Sequence, residues 1–238
     1  MIAKYIIDNL HANPAMNMAI DEMLFDKVGK VGKVGKVGKE DEPVIYLRFY
    51  RWAQKFCSFG YSQRINNKKK IQEKYKNKLV RRPTGGGFVF HDKDICLTIA
   101  ANINIHKNLL SLNNSYNFLH LVILKGLQSL NPMNSNLTLF ADTKKVSGNY
   151  SCFEKPVKAD IMLASNKIVG SAQKRKGDVL LQQGSIFMDK INEESIIKSF
   201  EAELNLNFEE YVYSESDLKI AEKLLKDKYI NNDWNYRI

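Results

Sequence analysis

The sequence has no long hydrophobic run, and this absence excludes the first class of protein. None of its segments approaches the roughly 18 consecutive apolar residues that a membrane-spanning helix needs. The N-terminal segment 1–17 also lacks a long apolar stretch and a small-residue cleavage pattern, so it does not resemble a signal peptide. We therefore expect a cytoplasmic protein that binds no membrane.

Cysteine is scarce, which excludes a second class. The three cysteines, Cys57, Cys96 and Cys152, are widely spaced, and no pair of them has the CxxC spacing. This pattern argues against a disulfide framework and against a structural zinc site. We expect reduced thiols and no bound metal.

Acidic residues are outnumbered by basic ones. The chain has 36 Lys+Arg and 26 Asp+Glu among 238 residues, which gives a formal net charge of +10. An apolar fraction of 44% is enough to close a core, so disordered, collagen-like and coiled-coil classes are excluded. At about 150 residues per domain, the length predicts one large domain over 1–238.

One low-complexity segment interrupts the chain. Residues 28–39 are four copies of Val-Gly-Lys, and three acidic residues follow them. Because glycine at every third position disfavours both helix and strand, we predict a flexible surface insert over 28–42. A tolerated repeat expansion explains the insert most simply, since loop length costs little free energy. A polybasic contact with an acidic partner is the alternative.

The remaining sequence alternates strand and helix patterns. Strands are predicted at 2–7, 43–50, 56–60, 79–82, 88–91, 95–100, 137–140, 157–163, 167–169 and 179–188. Helices are predicted from Pro14 onward with Asn13 as N-cap, and at 66–78, 109–130, 193–203 and 216–228. Since the strands follow one another in hairpin-like succession, the fold class is α+β, with a mixed, largely antiparallel sheet packed with helices.

Segment 81–92 concentrates several chemical groups, and it reads Arg-Arg-Pro-Thr-Gly-Gly-Gly-Phe-Val-Phe-His-Asp. Three glycines remove every side chain from a stretch of backbone, so a ligand can lie against it and accept hydrogen bonds from its N–H groups. Arg81 and Arg82 can bind a phosphate or a carbonyl through paired N–H groups. A glycine-rich hairpin turn is the structural alternative, and the spacing matches neither GxxxxGK[ST] nor GxGxxG.

A second motif begins at Lys167 and reads Lys-Ile-Val-Gly-Ser-Ala-Gln-Lys-Arg, and Gln-Gly-Ser-Ile follows at 183–186. A lysine flanked by apolar residues is partly desolvated, which makes it a credible proton acceptor. A solvent-facing lysine on an edge strand is the alternative.

Together the two motifs resemble the lipoate-protein ligase and octanoyltransferase family of the biotin/lipoate A/B protein ligase superfamily. The Asn-Met-Ala-Ile-Asp-Glu segment at 17–22 is also similar to the opening helix of that family. The resemblance covers roughly 1–200 and is closest to the single-domain cysteine-dependent octanoyltransferases. It implies the biotin/lipoate protein ligase catalytic-domain fold.

The resemblance implies transfer of an octanoyl or lipoyl group to a lysine of a lipoyl-domain protein. Cys152 lies in Cys-Phe-Glu-Lys-Pro, which is similar to the segment that carries the acyl-enzyme cysteine in the cysteine-dependent branch. Its thiolate would attack the donor thioester, and Lys167 would move the proton when the acceptor amine attacks. N–H groups around 85–87 and 170–171 would stabilise the oxyanion. The implied substrate-binding residues are Arg81, Arg82, Thr84, Gly85, Gly86, Gly87, His91, Gly170, Ser171, Ala172 and Gly184.

Partners follow from the same resemblance. The acceptor is a glycine cleavage H protein or a 2-oxoacid dehydrogenase acyltransferase subunit, and the donor is an acyl carrier protein or a lipoylated protein. These partners tend to be acidic in the family, so a basic enzyme gains encounter rate by electrostatic steering. We expect a monomer that needs no cofactor. His91 is expected to fix the glycine loop or to line an acyl tunnel, and not to act as a base.

Two alternatives stay open. An ATP-dependent lipoate ligase would form an acyl-adenylate with ATP and Mg, and Arg81, Arg82 and Lys167 would face the phosphate. A triple glycine is more typical of ligases, whereas the length, which lacks the accessory domain of many ligases, favours the transferases. A nucleic-acid binding module is suggested by the lysines at 68–70, but a solvated helix face explains them more simply. We expect no nucleic-acid binding.

Overall fold

The strands and helices alternate along the chain as the sequence patterns predict. The computed structural model describes residues 1–9, 13–31, 43–76, 78–129, 135–141, 156–188 and 190–237. The strands are β1 (Ile2–Asp8), β2 (Pro43–Arg51), β3 (Phe56–Phe59), β4 (Leu79–Arg81), β5 (Phe88–His91), β6 (Ile95–Asn102), β7 (Leu137–Leu139), β8 (Ile161–Leu163), β9 (Asn166–Lys176), β10 (Val179–Ile186) and β11 (Phe208–Glu210). The helices are α1 (Pro14–Val31), α2 (Lys69–Lys74), α3 (Leu112–Gln128), α4 (Glu193–Leu204), α5 (Glu215–Leu224) and α6 (Asn232–Asn235).

Two sheets organise these elements. The large sheet has the strand order β11-β1-β2-β6-β10-β9-β8-β7, and the small one has the order β4-β3-β5. In the large sheet β11, β1 and β2 run parallel, and every pair from β2 to β7 is antiparallel. The prediction of a mixed, largely antiparallel sheet is confirmed. None of the helices in the described residues is long and apolar enough to cross a membrane.

Helices cover both faces of the large sheet. Leu97 and Ile99 of β6 belong to a core with α3 and α4, whereas Cys96 and Ala100 belong to a core with α1 and α5. This alternation follows from the two-residue period of a strand, which turns successive side chains to opposite faces. The sheet is therefore buried on both sides, and its face toward α1 and its face toward α3 carry separate side-chain sets.

Helix α1 begins as the sequence predicts but ends later. The Asn13 side chain accepts a hydrogen bond from the N–H of Met16 at 2.9 Å, which is N-cap geometry. The helix continues to Val31, so the prediction of a flexible insert is wrong for 28–31. Val28 is fully buried in the core, and this burial offsets the helix cost of Gly29. Residues 32–42 of the insert lie outside the described residues.

Four other elements differ from the predictions, two in their length and two because no element was predicted there. The lysine-rich helix expected over 66–78 is reduced to α2 and a preceding 3₁₀ turn, because α2 buries no side chain that would stabilise a longer helix. Strand β9 runs to Lys176, so the segment that follows Lys167 is extended. The short strand β11 and helix α6 were not predicted, since each is too short to show a periodic pattern.

Candidate active site

The glycine loop connects β4 to β5 and is held through its carbonyl groups. Arg82 Nη2 donates to the carbonyl oxygens of Gly85 at 3.0 Å and Gly87 at 2.9 Å. Gln63 Nε2 donates to the carbonyl of Gly86 at 3.2 Å. Gly86 has a φ of +86°, a conformation that favours glycine. All three carbonyls of the loop are therefore turned toward donors of the protein itself.

The opposite side of this loop is open. Among the residues that the structure describes, no group accepts a hydrogen bond from the N–H of Gly85 or Gly86. A Cβ added at Gly85 would meet no atom within 4 Å. At Gly60, in contrast, an added Cβ would lie 2.0 Å from the carbonyl oxygen of Gly86. The loop thus packs tightly on Gly60, and the described residues provide no acceptor for the N–H groups of Gly85 and Gly86.

Arg81 has a different environment from the one the sequence predicts. Its side chain is almost fully buried, and its five N–H groups all point to main-chain carbonyls. The acceptors are the carbonyl oxygens of Tyr61 (2.7 Å), Gln63 (2.7 Å), Trp234 (2.8 Å), Asn235 (3.0 Å) and Arg237 (3.3 Å). Arg81 therefore has no N–H left for a ligand, and its predicted role in substrate binding is corrected to that of an anchor for the C-terminal segment.

Arg82 instead joins the glycine loop to a buried polar chain. Its Nη1 donates to Ser58 Oγ at 2.7 Å, and Ser58 Oγ lies 2.6 Å from His91 Nε2. His91 Nδ1 lies 2.7 Å from a carboxylate oxygen of Asp94. Burial lowers the pKa of His91, although Asp94 opposes this effect. Both ring nitrogens of His91 are engaged, so it does not offer one to a ligand.

Cys96 lies beside this chain, which the wide spacing of the cysteines did not indicate. Ligand atoms of His91, Asp94 and Cys96 lie within 4.8 Å of one another. The thiol accepts the indole N–H of Trp52 at 3.0 Å, and burial raises its pKa well above the ordinary value. A metal site needs a thiolate. As a protonated thiol, Cys96 takes part in a hydrogen-bonded network, and a metal would have to displace its proton to bind here.

Thr84 connects the glycine loop to the large sheet. Its hydroxyl donates to Gln183 Oε1 at 2.8 Å, and Gln183 Nε2 donates to Asp21 at 2.6 Å. Asp21 in turn pairs with Arg48 at 2.7 Å, and all four side chains are buried. Burial raises the pKa of Asp21 despite Arg48. The Asn-Met-Ala-Ile-Asp-Glu segment of α1 thus reaches the glycine loop through a continuous polar chain.

Lys167 folds back over a glycine. A Cβ added at Gly170 would lie 2.1 Å from Lys167 Cε and 2.5 Å from its Nζ, so only glycine leaves room for this side chain. Lys167 is nearly buried, and its Nζ pairs with Asp160 at 2.7 Å. The alternative of a solvent-facing lysine is therefore wrong.

Asp160 is the centre of this half of the site. Besides Lys167, its fully buried carboxylate accepts the Tyr116 hydroxyl at 2.8 Å and the N–H of Val157 at 2.6 Å. Three donors compensate the desolvation of the charge. Because a carboxylate bound in this way is fixed, the lysine ammonium that it pairs with is fixed as well.

The register of β9 and β10 brings the two halves together. Gly170 pairs with Ser185, and cross-strand partners share one face of a sheet. Ser185 Oγ donates to Asp94 and so contacts the His91 network. Lys167, which lies across Gly170, is therefore on the same face as the glycine loop.

Ser171 is turned to the other face. Its Oγ lies 2.6 Å from His120 Nε2, and His120 Nδ1 lies 2.7 Å from the carbonyl of Ala159. Since a carbonyl only accepts, Nδ1 carries the proton and Nε2 accepts from Ser171. Burial lowers the pKa of His120 to about 4. The N–H of Ser171 donates to Tyr116 at 3.3 Å, so neither polar group of Ser171 faces Lys167, and its predicted role is corrected.

Ala172 and Gly184 lie at the side of this arrangement. Ala172 pairs with Gln183, and Gly184 pairs with Ser171. A Cβ added at Gly184 would come within 3.2 Å of the Ser171 Cβ. Gly184 therefore gives room to the Ser171 and His120 contact. Cys152, the predicted nucleophile, lies outside the described residues.

Sequence reasoning missed the partners of the predicted residues. They are Ser58, Asp94, Tyr116, His120 and Asp160. Only Asp94 had a local signal, since it stands three residues after His91 at the start of β6. The others approach across strands or from α3, and no spacing in the sequence reports such contacts.

The fold and the two motifs are those of an enzyme domain that acts on acyl groups. The domain is built on a mixed, largely antiparallel sheet packed with helices. A family model described as the lipoyl protein ligase A/B catalytic domain matches residues 13–200, and the chain belongs to this family. The resemblance inferred from the motifs is thereby confirmed.

Individual relatives extend this finding. The chain is 27% identical to the octanoyltransferase LipM of Brevibacillus brevis, and the alignment covers 98% of both chains. It resembles the solved structure of protein Ta0514 from T. acidophilum with a TM-score of 0.76 at 20% identity, and all of both chains is covered. A bi-partite lipoate protein ligase, solved in a study of an archaeal lipoylation system and its E2 lipoyl domain from Thermoplasma acidophilum, gives 0.70 at 17% identity over 99% of this chain and 96% of the other. At these identities the two structures show the fold alone.

Proposed function

We propose that the protein is an octanoyltransferase of protein lipoylation, which moves an octanoyl group to a lysine of a lipoyl-domain protein. The observation that carries this function is the end-to-end similarity to an octanoyltransferase, over 98% of both chains.

The first step uses Cys152. Its thiolate attacks the carbonyl carbon of the donor thioester, a tetrahedral oxyanion forms, and the carbon–sulfur bond to the donor breaks. The product is an acyl-enzyme thioester and a donor thiolate, which takes up from solvent the proton that Cys152 released when it ionised. The N–H groups of Gly85 and Gly86, which have no acceptor among the described residues, support this step, because preorganised donors at an oxyanion are typically worth about 3 kcal/mol each.

The second step uses Lys167 and Asp160. The acceptor amine attacks the thioester of Cys152, and the new carbon–nitrogen bond replaces the carbon–sulfur bond. Lys167 gives a proton to the departing sulfur and recovers one from the amide nitrogen, so no proton is gained or lost. The buried ion pair with Asp160 supports this role, since it holds the ammonium in one place through both transfers.

The ATP-dependent ligase is the second candidate. It requires cations that face a phosphate, and three were predicted from the sequence. Arg81 has given all five N–H groups to carbonyls, and Lys167 already has Asp160 as a counter-ion. Arg82 alone keeps N–H groups for a phosphate. This arrangement favours the transferase, which requires neither ATP nor Mg.

The net charge of +10 supports acidic protein substrates. An E2 lipoyl domain accompanies one of the structural relatives, and we propose a lipoyl domain as the acceptor here too. An octanoyl-loaded acyl carrier protein is the proposed donor. A cytoplasmic location and a monomeric state stay predictions.

The test mixes purified protein with octanoyl-loaded acyl carrier protein and records intact mass. We expect a gain of one octanoyl group without ATP, its removal by hydroxylamine, and its absence in Cys152→Ala. Cys57→Ala is the matched control and should keep the adduct, since Cys57 is buried in the small sheet. Turnover that needs ATP and survives Cys152→Ala would refute the proposal.

A further inference from the structure

The buried chain from Asp94 to Arg82 has a single consistent arrangement of hydrogens. Arg82 has only donors, so Ser58 Oγ is the acceptor in their 2.7 Å contact. The Ser58 hydroxyl hydrogen is then available to His91 Nε2 at 2.6 Å. At the other end, the Asp94 carboxylate accepts from His91 Nδ1 at 2.7 Å. Each group donates toward Asp94 and accepts from the side of Arg82.

These residues are too well enclosed to contact a substrate. Ser58, His91 and Asp94 are 0%, 5% and 2% exposed, and the indole ring of Trp52 stacks on His91 with ring centroids 4.2 Å apart. The Ser185 hydroxyl also donates to Asp94. A serine, a histidine and an aspartate in this order otherwise form a nucleophile with its base. Here burial, and an arginine on the serine oxygen, exclude nucleophilic attack by Ser58.

This chain of hydrogen bonds ends at the glycine loop. The nitrogen Nη2 of the same guanidinium holds the carbonyls of Gly85 and Gly87. A guanidinium is planar and rigid, so the direction of its Nη1 bond to Ser58 sets the direction of its Nη2 bonds. Because a trans peptide unit points its N–H opposite to its carbonyl, fixing the Gly85 carbonyl directs the Gly86 N–H away from Arg82, where no described residue accepts it.

We propose that Asp94, His91 and Ser58 are positioning residues, which act through Arg82 to hold the N–H groups of the glycine loop where the substrate oxyanion forms. This inference rests on the proposed function. It assigns His91 a role through the loop geometry and not a contact with the acyl chain. The inference also requires an atom that accepts a hydrogen bond at the position of His91 Nε2. Substitutions can test this requirement separately from side-chain volume.

The experiment measures the rate of acyl-enzyme formation with octanoyl-loaded acyl carrier protein over a range of donor concentrations. In His91→Asn the amide reaches Asp94 but not Ser58, and in His91→Gln the amide oxygen reaches the place of Nε2. We expect His91→Asn to lower the rate at saturating donor by about tenfold to a hundredfold, the effect of one buried hydrogen bond. The KM for the donor should change by less than about twofold, since the lost contact acts in the transition state. His91→Gln should restore most of the rate.

A double-mutant cycle with Arg82→Ala tests the path. If His91 acts through Arg82, adding His91→Asn to Arg82→Ala should change the rate by less than about twofold. A structural role would lower the unfolding midpoint and multiply the two effects. Should His91→Asn fail to fold, Ser58→Ala takes its place in the cycle. The control is His106→Asn, since His106 also stacks on an aromatic ring, Phe118 at 4.3 Å, but within the described residues no hydrogen-bond chain joins it to the loop.

Three results would overturn the inference, and they differ from failure of the proposed function. Multiplied effects in the cycle, or a His91→Gln no more active than His91→Asn, contradict a path through Arg82 while the wild type still forms the acyl-enzyme. A wild type that forms no acyl-enzyme contradicts the proposed function itself. An unchanged rate in His91→Asn also contradicts the inference.

Discussion

The two halves of the candidate site solve opposite problems. In the glycine-loop half, side chains such as Arg82 and Thr84 hold the backbone in place. In the lysine half, the backbone of Gly170 makes room for a side chain, and one carboxylate, Asp160, fixes that side chain. The first half distributes its positioning over many hydrogen bonds, whereas the second concentrates it on one buried carboxylate and its ion pair. The second half is therefore the one that a single substitution should disrupt most.

Substitution of Asp160 is predicted to lower stability more than any other change considered for the two halves. Asp160→Asn leaves the buried ammonium of Lys167 without its counter-ion and should lower the free energy of unfolding by about 3 to 5 kcal/mol. Urea unfolding measures the loss. The control Glu209→Gln removes an exposed partner of Lys4 and should cost less than about 1 kcal/mol. A loss in Asp160→Asn no larger than that of the control would show that the two halves do not differ.

Acidification tests the lysine half through His120. Its folded pKa of about 4 lies below the ordinary value of 6.5, so the unfolded state binds the proton more readily. The contribution of neutral His120 to stability is complete above pH 6.5, the pKa of the unfolded state. It is lost as the pH falls from 6.5 toward 4, and the total loss is about 3 kcal/mol.

The measurement is the unfolding free energy between pH 7 and pH 4. His120→Gln should make the pH dependence shallower, while buried His91, whose pKa is also lowered, keeps its own share. Parallel curves for wild type and His120→Gln would contradict the assignment of this pH dependence to His120.

Arg81 separates structure from chemistry within the glycine-loop half. Arg81→Lys removes several of five buried bonds and should lower the free energy of unfolding by about 2 kcal/mol. The rate per folded molecule should stay within about twofold of wild type, since Arg81 has no free N–H group. A stable Arg81→Lys variant that has lost activity would instead assign Arg81 to the substrate.

The smallest predicted effect on stability comes from Gly60. In Gly60→Ala the new Cβ would lie 2.0 Å from the Gly86 carbonyl, so the glycine loop must shift. We expect a stability loss of about 1 to 2 kcal/mol, together with a tenfold or larger fall in the rate of acyl-enzyme formation, because a shifted loop displaces its N–H groups. Gly29→Ala is the matched control, because its Cβ makes only a 3.4 Å contact and alanine favours the helix. Equal activities of the two variants would contradict the tight packing of the loop.

The fold was largely predictable because a strand buried on both faces is a near-continuous apolar run, and an amphipathic helix has apolar residues at helical spacing. Strand β6 and helix α3 follow those patterns closely. Helix α1 was predicted too short, since glycine propensity was given more weight than the burial of Val28. Tertiary packing routinely overrides propensity in this way.

The site was predictable only in part, for a geometric reason. Arg81 and Arg82 are equivalent in the sequence, yet neighbouring residues of an extended chain point in opposite directions. One side chain enters the core near α6, and the other enters the polar chain at Ser58. Likewise, Lys167 was found from its motif, but its partner Asp160 approaches through a strand pairing that only the fold creates.

The bonds of Arg81 have a consequence for the kinetics of local opening. They tie the turn at 61–63 to the segment 234–237, although more than 150 residues of chain separate the two. Neither segment can detach without exposing the same buried guanidinium, so their amides should exchange with solvent as one cooperative unit. Gly60 precedes this turn and supports the glycine loop. Fraying of α6 would therefore disorder the glycine loop and impair catalysis.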